Sequence, residues 1–314
     1  MPYPIEKKLV VAVSSSALFD LSESDAVYKE KGEETYRQYQ RDKQNATLAP
    51  GVAFPFIRRF LGLNLVFADQ QPVEVVLLSH NDPDTGLRVF TSIRKHGLNI
   101  TRAAFLCGGD PFKYIPAFNV SLFLSANPRD VKNAIDAGSA AGTVLGFATN
   151  DDPADRELRV AFDFDGVIAD DEAEAVYSVR ENLQDFHQAE SHKAGIPHEP
   201  GPLKDLVTKL SFFQKLERKR EAADPSYKRL LRTAIVTARN APSHERMVTT
   251  LRNWGVIVDE TFFLGGIDKS RILKVLRPHI YFDDQMSHLA VASGTTPVVH
   301  IPFGVRNEKS GVPT

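Results

Sequence analysis

The stretch Leu158-Arg159-Val160-Ala161-Phe162-Asp163-Phe164-Asp165-Gly166-Val167-Ile168-Ala169-Asp170-Asp171 decides how this chain is read, because an apolar run stops abruptly at two carboxylates set two residues apart. Residues 158 to 162 have the near-continuous apolar character of a buried strand in a parallel sheet, and ligands of such sheets sit in the crevice beyond the strands' carboxyl ends. Asp163 falls at that end. A strand repeats every two residues, so Asp163 and Asp165 leave it close together, and Gly166 lets the chain turn away sharply. A hairpin is the competing reading, since Asp165-Gly166 is also a type I′ turn signal.

Residues downstream choose between the two. Residues 233 to 236 (Thr-Ala-Ile-Val) form a strand that ends in Thr237-Ala238-Arg239. Lys269 opens a helical segment after the turn at Gly265-Gly266, and the short strand 279 to 282 (His-Ile-Tyr-Phe) ends in Asp283-Asp284. Parallel neighbours would bring all these ends to one edge of a doubly wound α/β sheet, making a single site. Two like charges about 4 Å apart repel by roughly 4 kcal/mol at an effective dielectric near 20, so clustered carboxylates need a counter-charge. A divalent cation supplies it, and all-oxygen ligands suit Mg²⁺, with Mn²⁺ satisfied by the same donors. Lys269, the Thr237 hydroxyl and the N–H groups of a helix start add what an anion needs. Metal, cation and donors together favour phosphoryl transfer.

The totals bound the rest. With 314 residues, 42% hydrophobic and 25% charged, the chain is long enough for two ordinary domains. A formal charge of −2 gives no general attraction for a nucleic acid polymer or an anionic membrane. The single cysteine, Cys107, excludes an intramolecular disulfide and is read as a small core residue in a reducing compartment. Glu6, Lys7 and Lys8 precede a short apolar run, and no stretch approaches about 18 apolar residues, so neither signal peptide nor membrane span is expected. A cytoplasmic protein is the expectation.

Upstream, Leu-Val-Val-Ala-Val (9 to 13) and Val73 to Leu78 are strands, residues 22 to 47 a solvated helix, and residues 86 to 96 have helical spacing. Residues 103 to 106 and 120 to 124 are further strand candidates, and Ala148 to Glu157 reads as a linker. The same order then returns. Arg88, Thr91, Arg94 and Gly97 match Arg246, Thr249, Arg252 and Gly255 at an offset of 158, as do Phe105-Leu106, Gly108 and Asp110 with Phe263-Leu264, Gly266 and Asp268. Ser14 aligns with Asp163 at an offset of 149. This predicts an internal duplication. The first copy has Ser14 and Ser16 for Asp163 and Asp165, Ser79 for Thr237, Pro111 for Lys269 and Ser125-Ala126 for Asp283-Asp284. It is expected to keep the fold without the catalysis, as a packing partner, a regulatory ligand site or an oligomer surface.

Asp163-x-Asp165-Gly166-Val167, Thr237, Lys269 and Asp283-Asp284 resemble, in order and spacing, the four motifs of the haloacid dehalogenase (HAD) superfamily of phosphatases. Residues 13 to 19, 50 to 56, 201 to 204, 236 to 239 and 278 to 286 are similar, more specifically, to the cytosolic type I 5′-nucleotidase family, a likeness covering nearly the whole chain. The resemblance implies a HAD-like, Rossmann-like parallel sheet in residues 150–314, with an inserted helical cap at about 167–230, preceded by a degenerate half at 1–149. It implies that Asp163 attacks the phosphorus of a nucleoside 5′-monophosphate while Asp165 protonates the leaving 5′-oxygen and then activates water. Asp163, Asp284 and the Asp165 carbonyl would hold Mg²⁺, with Asp283 holding a metal-bound water. Thr237 and Lys269 would hold phosphoryl oxygens, with Arg239 and Lys204 as further substrate-binding candidates. Val167 stands where many members have Thr.

Within the cap, Asp170, Asp171, Glu172 and Glu174 read as a solvated helical face. The loop 198 to 204 is either a rigid hinge or a way of bringing Lys204 to the site. His187, His192 and His198 lack tight metal-ligand spacing and read as surface residues. A superfamily phosphatase for another small phosphorylated metabolite and a catalytically silent nucleotide-binding or scaffold protein are the competing functions. A homo-oligomer stays open.

Overall fold

The computed structural model of the chain describes residues 3–146, 151–173 and 183–308. Residues 148 to 150 of the expected linker, and Glu174, lie outside the described residues. The chain divides into two compact units, Met1–Asp151 and Asp152–Thr314.

In the first unit, β1 (Leu9–Val13) leads through α1 (Ser15–Leu18), α2 (Ser22–Asp42) and α3 (Phe54–Val66) into β2 (Val73–Ser79). Then come α4 (Leu87–Lys95), β3 (Arg102–Phe105), β4 (Val120–Ser125), α5 (Pro128–Asp136) and β5 (Ala141–Leu145). The strands lie in the order β3-β2-β1-β4-β5, all parallel. Every residue of β1 and β2 is buried, which is why their sequences are apolar without alternation. Val10, Ala12, Val76, Leu78 and Phe123 pack with Val131 and Ala134 of α5. Cys107 is not a core residue: it is exposed, on a turn after β3 where its φ is 47°.

The second unit contains β6 (Leu158–Phe162), α6 (Leu183–His192), α7 (Lys204–Ala223), β7 (Leu231–Thr237), α8 (His244–Asn253) and β8 (Glu260–Phe263). It continues through α9 (Lys269–Leu276), β9 (Ile280–Asp283), α10 (Met286–Ala292), β10 (Val298–His300) and α11 (Val305–Glu308). Its strands lie in the order β10-β9-β6-β7-β8, again all parallel. Asp165-Gly166 is therefore not a hairpin turn. The β6–β7 connection carries α6 and α7, and α7 buries Leu206, Val207, Leu210 and Phe213. Glu217 of α7 accepts the backbone N–H groups of Leu230 and Leu231 at 2.7 and 3.0 Å, fixing the start of β7.

The two units share fine detail. Leu9 pairs with Val73 and Leu158 with Leu231; Val76 pairs with Arg102 and Ala234 with Glu260. Isolated bridges join Phe19 to Pro50 and Ala169 to Pro200. Buried Arg88 donates to the Ala46 carbonyl and to Gln40, and buried Arg246 donates to the Ile196 carbonyl and to Glu190. Leu48 N–H donates to the Ser92 hydroxyl and His198 N–H to the Thr250 hydroxyl.

Candidate active site

In the second unit, the strand order reverses between β6 and β9, the topological switch point at which open α/β sheets form their ligand crevice. The residues that end those two strands are the ones the sequence singled out. Asp163 continues the pairing of β6, donating its N–H to the Phe282 carbonyl at 2.8 Å. The Phe162 and Phe282 rings stack at 5.2 Å beneath it, fixing both strands.

Lys269 is the first residue of α9, whose start is capped by Asp268 accepting the Ser270 N–H. Its ammonium is buried and lies 2.5 Å from Asp163 Oδ2 and 2.8 Å from Asp283 Oδ2. Asp163 Oδ1 also accepts the Phe164 N–H at 2.7 Å. Asp283 is held by more protein donors: Lys269, the Tyr281 hydroxyl, His288 Nδ1 at 3.2 Å and Gln285 N–H at 2.8 Å. Burial pushes the Asp163 carboxyl up to about 7, with Lys269 pulling against it and the Asp283 charge adding to it. Burial works the same way on Asp283, but Lys269 and His288 outweigh it and hold that carboxyl well below the usual range. Lys269 stays protonated despite its burial because two carboxylates face it.

Thr237 ends β7, is buried, and its hydroxyl accepts the Arg239 N–H at 3.2 Å. Arg239 grips Asp165 with two hydrogen bonds, Nε to Oδ2 at 2.8 Å and Nη2 to Oδ1 at 2.6 Å. It also donates to Glu190 and to the Ser243 carbonyl, and lies over the Phe164 ring. So the structure gives Arg239 the role of holding Asp165. Lys204 begins α7 with its ammonium 5.9 Å from the centre of the Trp254 ring, and no hydrogen bond joins it to the site carboxylates among the described residues.

The expectations for His198 and for the acidic face need correction, whereas His192 is exposed as expected. His198 is buried, with Nδ1 3.2 Å from Asp170 and Nε2 3.4 Å from Glu190, so it belongs to the polar cluster around Arg239. Glu172 pairs with Arg246 and Lys193, and Asp171 accepts the Val305 N–H at 2.6 Å. Glu172 binds within the unit because buried Arg246 of α8 requires a counter-charge, while Asp171 holds the first residue of α11. Glu190 is the one the sequence reading missed altogether. Burial would raise its carboxyl, but His198 and Arg239 hold it down to about 2.

The donor set fits a hard divalent cation. Its atoms are oxygens, and a Cβ at Gly166 would lie 2.9 Å from Asp284 Oδ2, so the backbone after Asp165 closes directly on the Asp284 carboxylate. Gly166 has φ 70°, which glycine adopts without strain. Carboxylate oxygens of Asp163 and Asp283 lie within 4.8 Å of one another and of a His288 ring nitrogen, which bonds Asp283.

A parallel sheet whose switch point gathers four aspartates and a buried lysine defines a Rossmann-like α/β protein of the HAD type. The sequence model of one family, described as 5'-nucleotidase, matches residues 1–308, and the chain belongs to the 5′-nucleotidase family. It is 36% identical over 296 residues to the cytosolic 5'-nucleotidase 1B of Homo sapiens, across 92% of this chain. It spans 48% of that relative's length. No solved structure matches the chain significantly. No helix among the described residues is long and apolar enough to cross a membrane.

Proposed function

We propose that this chain hydrolyses nucleoside 5′-monophosphates to nucleoside and phosphate through an aspartyl phosphate on Asp163. The observation that carries the reading is the buried Lys269 ammonium shared by Asp163 and Asp283 at the switch point of a 5′-nucleotidase family chain. The human relative's name, a cytosolic 5'-nucleotidase, agrees with it.

In the first step an Asp163 oxygen forms the new bond to phosphorus as the bond to the 5′-oxygen breaks, and Asp165 delivers a proton to that leaving oxygen. Asp165 trades one of its Arg239 hydrogen bonds for this contact. In the second step Asp165 takes a proton from water as the water oxygen attacks phosphorus, releasing phosphate and restoring Asp163. Thr237 and Lys269 hold phosphoryl oxygens through a hydroxyl and an ammonium. Mg²⁺, when bound, supplies positive charge to the phosphoryl oxygens and offsets the clustered carboxylates. Asp163 and Asp284 would hold it with the Asp165 carbonyl, and Asp283, occupied by its own donors, would serve through a metal-bound water.

The first unit is read as a degenerate copy of the second, supported by the shared strand order, registers and arginine contacts. It carries Ser14, Ser16, Ser79 and Ser125 where the second unit has Asp163, Asp165, Thr237 and Asp283, and a serine hydroxyl lacks the charge of a carboxylate that binds a divalent cation or attacks phosphorus. Acid-quenched protein from a reaction with phosphorus-labelled nucleotide tests the mechanism. Hydroxylamine-sensitive label on the peptide containing Asp163 is expected, and label elsewhere or none in an active enzyme overturns the covalent route.

A further inference from the structure

We propose that the aromatic pair His244–Phe263 receives the nucleobase of the substrate, an inference resting on the nucleotide-phosphatase reading. Phe263 is the last residue of β8 and the register partner of Thr237, so it flanks the expected phosphate holder directly. The chain after it is tied to the site strand: Leu264 N–H donates to the Thr237 carbonyl at 3.0 Å and Gly265 N–H to the Arg239 carbonyl at 3.3 Å. On the other side, the Ser243 carbonyl accepts from Arg239 at 2.9 Å, and His244 follows it as the first residue of α8. The pair is thus anchored both to the phosphate side and, through Arg239, to the acid that serves the leaving nucleoside.

Its chemistry suits a base. Phe263 is 36% exposed, and His244 meets it edge-on, with ring centres 5.5 Å apart at 76°. This geometry supports the phenyl ring from one side. His244 Nδ1 is buried and has no hydrogen-bond partner among the described residues. The exposed Phe263 face offers a stacking surface that a heteroaromatic base can use and a bare sugar phosphate cannot, while His244, whose Nδ1 is buried, backs the ring.

The first unit differs at these positions. The residues 158 earlier are Gly86 and Phe105, and a Cβ at Gly86 would come within 2.4 Å of the Phe105 ring. Phe105 lies over that glycine and packs against Phe90 at 5.7 Å. A histidine there would collide with a ring in that position, so the second unit's pair is a different arrangement, found in the unit that carries the carboxylates.

The test compares a purine nucleoside 5′-monophosphate with ribose 5-phosphate on wild type, Phe263→Ala and Phe263→Tyr. The ratio of kcat/KM values for the two substrates is expected to fall about tenfold in Phe263→Ala, through KM for the nucleotide, and to recover in Phe263→Tyr. An unchanged ratio, or a fall carried by kcat, overturns the proposal. Should wild type release phosphate from neither substrate, the function reading fails by itself, and calorimetric binding of the free nucleoside decides the rest. Binding to wild type that is weakened in Phe263→Ala keeps the aromatic pair as a base site; no binding to wild type, or equal binding, ends it.

Discussion

Lys269→Met removes the charge on which two buried carboxylates depend while keeping an unbranched side chain of similar length. At an effective dielectric near 20, contacts of 2.5 and 2.8 Å correspond to roughly 6 kcal/mol of gross attraction each, much of it cancelled by burying the ammonium. What the variant loses is set by the carboxylates it strands, and breaking a buried pair this way costs about 3–5 kcal/mol. The loss must also depend on pH. A carboxyl whose folded-state pKa is raised, as burial raises Asp163, binds its proton more tightly in the folded than in the unfolded chain, so its contribution is lost as pH rises through the folded value of about 7. Without Lys269 that value moves higher still, and the variant should fall further behind wild type at pH 8 than at pH 6. Urea unfolding followed by the chain's single tryptophan, Trp254, reads the second unit directly. Adding Asp283→Asn should recover more than about 1 kcal/mol beyond additivity, because only one carboxylate then lacks a partner. A loss below about 1 kcal/mol, or one equal at both pH values, would refute the shared-ammonium account.

Glu190→Gln should flatten the acid limb of the stability curve. The Glu190 carboxyl sits at about 2 against an ordinary 4.5, so its contribution is complete above 4.5 and lost as pH falls towards 2. It amounts to at most about 3 kcal/mol, and thermal midpoints from pH 3 to 7 that run parallel in variant and wild type would contradict it. Gly201→Ala should destabilise the second unit by about 1–3 kcal/mol through overpacking, since its Cβ would fall 2.2 Å from the Ala169 carbonyl oxygen. An unchanged unfolding midpoint would count against that packing.

The sheet and its site were legible because strands buried on both faces leave apolar runs, and Asp163, Thr237 and Asp283 end such runs. Lys269 was legible because its position after Gly265-Gly266 marks a helix start. The support around them was less so. His198, Glu190 and Arg246 meet through contacts 41 to 56 residues apart in sequence, as in Arg239 to His198 and Arg246 to Glu190. Nothing local distinguishes them from a solvated helix face. His288 lies five residues beyond Asp283, in the first turn of α10, and nothing in that spacing ties a helix residue to a strand end before the fold is known. Arg239 was visible as a strand-end residue, but its partner was not, since only the fold brings Asp165 against it. Cys107 looked like core because of its type, and it is exposed because a turn, rather than β3, contains it.

Phosphate release from a panel of nucleoside 5′-monophosphates, 3′-monophosphates and sugar phosphates, with Mg²⁺ and with EDTA, on wild type and Asp163→Asn, tests the central claim most directly. The account predicts metal-dependent release from the 5′-monophosphates, lost in EDTA and in a folded Asp163→Asn protein. Release that survives in Asp163→Asn, or a folded wild type that releases phosphate from no 5′-monophosphate, would contradict it.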